Sequence, residues 1–299
     1  MIVEENRVKK LEVPGCILGE SPMWHSGRGS AFWVDILGNI LVEYQLGDGL
    51  VTQYKGSRMI SFVCPVGGTN NLLVAGAQGG IGTYDLRSQE LSLISDLDRE
   101  WENHRCNDGA VDCLGNLWIG TTHMDHEPGG GDLYRISDAW QAEKKIERVS
   151  ISNGICWSAD NRTLYYIDSP TREIRAFRHD AVTGKVAFDR LAVKISASMG
   201  FPDGMSMDVA GTIWVAIWGG GGVGGFNPIS GAMEHWIPIP APHVSSCAFV
   251  GPHLDYLLVT TAQKEMDDEQ LAEYPDSGCT FLVAMEVPGL PTYDCQLPT

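Results

Sequence analysis

No stretch of this 299-residue chain approaches the ~18 consecutive apolar residues of a transmembrane helix, so a helical membrane protein is excluded. The N-terminal MIVEENRVKK alternates charged and apolar residues and lacks an apolar h-region, so no signal peptide is read there. Basic residues are scarce: 21 Lys and Arg stand against 38 Asp and Glu, a net charge of −17. Such a surface repels phosphate backbones, which argues against nucleic acid and against an anionic membrane face as partners. There is no G-x-S-x-G nucleophile elbow and no H-E-x-x-H pair, so neither a serine hydrolase nor a helical zinc peptidase is indicated. The eight cysteines include no C-x-x-C pair, which removes structural zinc. An even count permits disulfides, but Cys64, Cys156 and Cys247 lie in apolar runs and read as buried thiols of a reducing compartment, the cytoplasm. What remains is a globular protein acting on a small molecule or a cation.

Length alone suggests two domains, yet no low-complexity linker separates two halves. A repeat decides otherwise. Short apolar runs recur around Trp33, Leu73, Trp118, Tyr165, Trp214 and Leu258, at intervals of 40, 45, 47, 49 and 44 residues. Turn clusters such as HSGRGS, DCLGN, SADNRT and DVAGT precede most of them, the pattern of strands joined by hairpins. Six units of this size predict an all-β, six-bladed β-propeller spanning residues 1–299 as one domain, because a single four-stranded sheet cannot bury both of its faces. A pair of sandwiches is the alternative. Residues 138–148 and the acidic 262–274 read as short excursions, helical in character, from the rim.

Polar residues recur in phase with the repeat. Glu20, Ser61, Asn107, Asn153, Asp203 and Ser246 each lie 11 to 13 residues before an anchor. In a propeller such positions ring one mouth of the central channel. Asn-Gly and Asp-Gly are also common tight-turn dipeptides, so Asn153 and Asp203 taken singly read as turns. Glu20 has little turn preference, and as a set the ring reads as a site. Two carboxylates and two amides converging on an axis repel one another unless they share a divalent cation, for which oxygen donors suit Ca²⁺.

The motifs that carry these residues resemble the SMP-30/gluconolactonase/luciferin-regenerating-enzyme family. They are LGESPMW at residues 18–24, RCNDG at 105–109 with GTT at 120–122, SNGICWS at 152–158, YYIDS at 165–169, PDGM at 202–205 and SSCAF at 245–249. The resemblance implies a six-bladed propeller with a divalent cation, Ca²⁺ first and Zn²⁺, Mg²⁺ or Mn²⁺ as other candidates. It implies Glu20, Asn153 and Asp203 as ligands, and Asp203 also as general base. Arg105 and Asn107 resemble the residues that contact sugar hydroxyls, and Asp125 stands where some relatives carry an acidic substrate contact. The GGGGVGG of residues 219–225 departs from the relatives' Gly-Gly-Arg-Val, so the substrate loop differs in shape and charge. Residues 59–62 suggest an apolar wall. The implied activity is hydrolysis of a sugar lactone, such as a gluconolactone, to the aldonic acid. The alternatives are a metal-dependent phosphotriesterase or aryl esterase on the same ring, and a calcium-binding regulatory protein without turnover. No apolar stripe marks a dimer face, and the oligomeric state is left open.

Overall fold

The computed structural model describes residues 7–97, 101–137 and 139–296. Residues 1–6, which hold more than half of the N-terminal segment MIVEENRVKK, and Asp138 lie outside them. Among the described residues, six four-stranded antiparallel sheets stand as blades around a channel. Blade I is β2 (Gly19–His25), β3 (Ser30–Asp35), β4 (Ile40–Gln45) and β5 (Val51–Lys55), and blade II is β6 (Ile60–Pro65), β7 (Leu72–Ala77), β8 (Gly80–Asp85) and β9 (Glu90–Ser95). Blade III is β10 (His104–Val111), β11 (Leu117–His123), β12 (Gly131–Ile136) and β13 (Ala142–Val149). Blade IV is β14 (Ser152–Trp157), β15 (Thr163–Asp168), β16 (Glu173–Asp180) and β17 (Lys185–Lys194). Blade V follows with β18 (Phe201–Met207), β19 (Ile213–Trp218), β20 (Gly222–Phe226) and β21 (Met233–Pro238). Blade VI takes β22 (Val244–Val250), β23 (Tyr256–Thr261) and β24 (Phe281–Ala284), and its outer edge is supplied by β1 (Val8–Lys10), paired antiparallel to β24. The chain thus closes the ring with a strand from its own beginning.

The apolar runs are continuous rather than alternating because each blade is covered on both faces. Phe32 and Val34 pack with Val63 and Leu73 between blades I and II, whereas Trp33 points the other way, to Val250 and Leu258 of blade VI. The same division places Trp118 with Trp157 between blades III and IV, and Ile119 with Val74 between blades II and III. Two further clusters fill the junctions of blades IV with V and V with VI. Hence the repeat spacing encodes blades that are stable only against their neighbours.

Residues 142–149 form β13, not a helical excursion, because the segment pairs along β12 as the outer edge strand of blade III. Residues 262–274 do carry the helical turn that was expected. It is α1 (Asp268–Glu273), opened by a capping box between Asp267 and Gln270. After β24 the chain crosses beneath the ring: Leu290 N–H donates to Met207 O, Cys295 N–H to Pro65 O and Gln296 N–H to Gly115 O. Residues 290–293 thereby cap the far end of a channel cavity of ≈ 250 Å³ lined by Met23, Phe62, Cys64, Ile155 and Cys247. None of the eight cysteines is joined in a disulfide, and Cys64 sits against Cys295. Among the described residues no helix is long and apolar enough to cross a membrane.

Candidate active site at the channel mouth

Every inner strand breaks register near its start. The shifts fall between Glu20 and Met23, Ile60 and Phe62, Cys106 and Gly109, Asn153 and Ile155, Pro202 and Met205, and Val244 and Ser246. A bulge bends the strand and re-aims one side chain. Here six register shifts occur at one level of the channel, at or next to the residues that recur in phase. In blade I the bulge holds Ser21 at a φ of 49°, and the Ser21 hydroxyl accepts from Val63 N–H at 3.2 Å, fastening blade I to blade II.

Asn153-Gly154 and Asp203-Gly204 are therefore bulges and not hairpin turns. Their glycines answer to close approach: a Cβ on Gly204 would stand 2.0 Å from Ser246 Oγ, and one on Gly154 2.8 Å from Asp203 O. Two aspartates, Asp35 buried and Asp168 half-buried, anchor the incoming loops. Asp35 accepts from the N–H groups of Ile17 and Leu18, both at 3.0 Å, just ahead of Glu20. Asp168 does the same for Ser150 and Ile151, just ahead of Asn153.

Asn153 is held by its amide nitrogen, which donates to Ser169 Oγ at 2.7 Å, while Ser169 donates on to Pro202 O at 2.7 Å. That leaves Asn153 Oδ1 as the free-facing acceptor, approached by Asn107 Nδ2 at 3.0 Å. Asn107 also donates to Ser152 O at 2.7 Å and accepts from the Arg105 guanidinium. Asp203 is buried, and its Oδ1 has no hydrogen-bond partner. Burial pushes the Glu20 carboxyl well above the usual carboxylate range, and the charges of Asp203 and Asp108 push it further while Arg105 opposes them. Asp203 is raised in the same way, by burial and then by Asp108, with Arg105 and Lys264 opposing. Asp108 itself is raised to about 7 by burial.

The structure thus brings Glu20, Asn107, Asn153, Asp203 and Arg105 to one mouth. Two ring members are differently disposed. Ser61 turns its hydroxyl to Gly76 O at 3.2 Å, and Ser246 lies one step inward on the cavity wall. The bulged residue of blade VI is Ser245, which donates to Gly19 O at 2.5 Å. Asp125 is exposed on the loop after β11, at the same end of the channel. Met59 and Ile60 pack into the core between blades I and II rather than forming a wall of the mouth, and Phe62 lines the channel cavity. Sequence reasoning gave no role to Ser169, Asp108, His126 or Lys264. Ser169 and Asp108 lie inside recurring motifs, and Lys264 is the one cation of the acidic 262–274 stretch.

A divalent cation fits this donor set on one observation above all, the orphaned buried Oδ1 of Asp203 beside a second carboxylate. Among the described residues no three His, Cys, Asp or Glu side chains close on a common point, so the third donor would be the amide oxygen of Asn153. Such a set is all oxygen, hard and anionic.

Fold and mouth together define a six-bladed propeller with an acidic, amide-lined site on its axis. Residues 18–263 match the family model described as SMP-30/Gluconolactonase/LRE-like region, and the chain belongs to that family. It is similar to the Bacillus subtilis protein named "Putative sugar lactone lactonase YvrE", at 34% identity over 91% of this chain and 93% of that one. Among solved structures, a luciferin-regenerating enzyme superposes with a TM-score of 0.91 at 28% identity, covering 97% of this chain and 99% of that chain. The calcium-binding protein regucalcin of Agrobacterium tumefaciens superposes with a TM-score of 0.90 at 28% identity, covering 97% of each chain.

Proposed function

We propose that the chain, acting as one propeller domain, hydrolyses a sugar lactone to the corresponding aldonic acid at this mouth. The observation that carries the reading is the partnerless, buried Asp203 Oδ1 set against Glu20, with Arg105 and Asn107 beside it. Family membership and the lactonase name of the Bacillus relative support it. The calcium-binding description of the Agrobacterium relative supports a divalent cation on Glu20, Asn153 and Asp203, Ca²⁺ before Mg²⁺, Mn²⁺ or Zn²⁺.

When bound, the cation supplies polarisation of the lactone carbonyl. Arg105 and Asn107 hydrogen-bond ring hydroxyls and orient the carbonyl carbon. Asp203 takes a proton from the attacking water, whose oxygen adds to that carbon, and returns it to the ring oxygen as the carbonyl re-forms and the ring C–O bond breaks. The ring oxygen leaves as a hydroxyl, and at neutral pH the new acid releases one proton. Lactones are activated esters, so a carboxylate base of modest strength suffices. Asp125, on the exposed loop, is assigned to the outer edge of the substrate.

Proton release from a panel of aldonolactones tests this, with chelator-stripped protein and each divalent ion restored in turn. Acid release on one or two sugars, only with a cation present, is the expected result. Asp203→Asn should lower kcat by about 10²–10⁴-fold with an unchanged circular dichroism spectrum. Silence across the panel while calcium still binds would instead favour a calcium-binding protein without turnover.

A further inference from the structure

Lys264 lies on the loop after β23 and His126 on the loop after β11. The pairings Val244↔Thr261 and His104↔His123 place both loops at the end of the channel where the inner strands begin, above the carboxylates. Blades III and VI are three steps apart in a ring of six, hence diametrically opposite. Even so, Lys264 Nζ lies 3.3 Å from His126 Nε2, so the two side chains meet across the mouth. The charge of Lys264 acts on Asp203 and that of Arg105 on His126, so the pair lies within electrostatic reach of the site.

We infer that Lys264 and His126 contact the hydroxylated tail of the substrate and set the preference for polyhydroxylated over bare lactones, an assignment that rests on the lactonase reading above. A lactone with its carbonyl at the carboxylates must send its tail outward, toward the two side chains that span the exit. Both tips are held for the task. The Lys264 side chain is only 27% exposed, lies 3.3 Å from Glu265 Oε1, and its backbone N–H donates to Ile17 O. Its carbonyl meets His243 Nδ1 at 3.0 Å, and the His243 ring stacks on Trp218 at 4.3 Å. His126 Nδ1 stands 3.5 Å from Thr122 Oγ1. Burial, then Lys264 and Arg105, lower the His126 pKa, which keeps the imidazole neutral and able to accept the lysine N–H.

Sugar hydroxyls can replace each partner of the Lys264–His126 hydrogen bond with an equivalent one, whereas a lactone without a tail offers neither. Discrimination by hydrogen bonding, rather than by steric fit, follows.

The experiment compares D-glucono-1,5-lactone with δ-valerolactone, the same ring without hydroxyls or tail, on wild type, Lys264→Met, Lys264→Arg and His126→Leu. The ratio of kcat/KM values, gluconolactone over valerolactone, should fall about tenfold or more in Lys264→Met, chiefly through KM. Lys264→Arg should recover part of it, and His126→Leu should lower it in the same direction. Calorimetric binding of gluconate should weaken in parallel in Lys264→Met. A ratio unchanged in Lys264→Met, or equal losses on both lactones, overturns the tail contact while leaving the lactonase reading intact. Failure of the wild-type protein to hydrolyse any lactone overturns that reading and this contact with it.

Discussion

At the scale of single residues, the mouth stores three carboxyls whose ionisation the fold opposes. Asp108 is the clearest, moved from an ordinary value of 3.8 up to about 7 by burial, against one compensating N–H from Gly109 at 2.7 Å. A carboxyl that holds its proton more tightly folded than unfolded favours the fold at low pH. Its contribution is lost as pH rises between the two values. Glu20 and Asp203 act in the same direction. The cation-free protein should therefore melt roughly 5 °C or more lower at pH 8 than at pH 5. Asp108→Asn should flatten the upper part of that slope in thermal denaturation followed by circular dichroism. A variant with the wild-type slope would remove Asp108 from the account. Glu20, Asn153 and Asp203 were legible because they recur in phase with the repeat. The offset to the anchor points to Ser246 whereas the bulged residue of blade VI is Ser245, because a bulge shifts register by one residue and an offset counted along the chain cannot register it. Lys264 and His126 were illegible as partners, being 138 residues apart in the chain.

Among the elements, the inner hairpins of blades III and V are stabilised by one repeated device. Asp208 Oδ1 accepts from the N–H groups of Ala210 and Thr212, closing the turn, while Oδ2 accepts from the Trp214 indole at 2.9 Å. Asp112 closes its own turn on Leu114 and Asn116 and takes the Trp118 indole at 3.0 Å. The DCLGN and DVAGT clusters that announced the repeat are these capped turns. Asp208→Ala leaves a buried indole N–H and two turn amides without an acceptor, and should cost about 2–4 kcal/mol in urea unfolding. A loss within about 0.5 kcal/mol would show that water replaces the carboxylate. The misread element, residues 142–149, is amphipathic and charged on its outer positions, as an outermost strand of a blade is. Its period alone does not separate that from a surface helix.

Across the whole molecule, stability depends on closure. Blades bury their faces only against neighbours, and the ring is sealed by β1 on β24, through Val8↔Val283, Lys9↔Leu282 and Lys10↔Phe281. Removing residues 1–10 should lower Tm by roughly 5–10 °C and promote association through the bared β24 edge, read by thermal denaturation and size exclusion. A truncated chain with unchanged Tm would mean that blade VI closes without its outer strand. What the sequence by itself determined is the number of blades, the strands that anchor them and three carboxyl or amide side chains of the mouth, since these follow from local hydrophobicity, turn chemistry and period. Only the tertiary structure decided that an N-terminal strand completes the last blade, that a C-terminal segment caps the channel, and that Lys264 meets His126 over the site. Each of these joins segments distant in sequence, and a local pattern carries no record of which distant surfaces will meet when a ring closes.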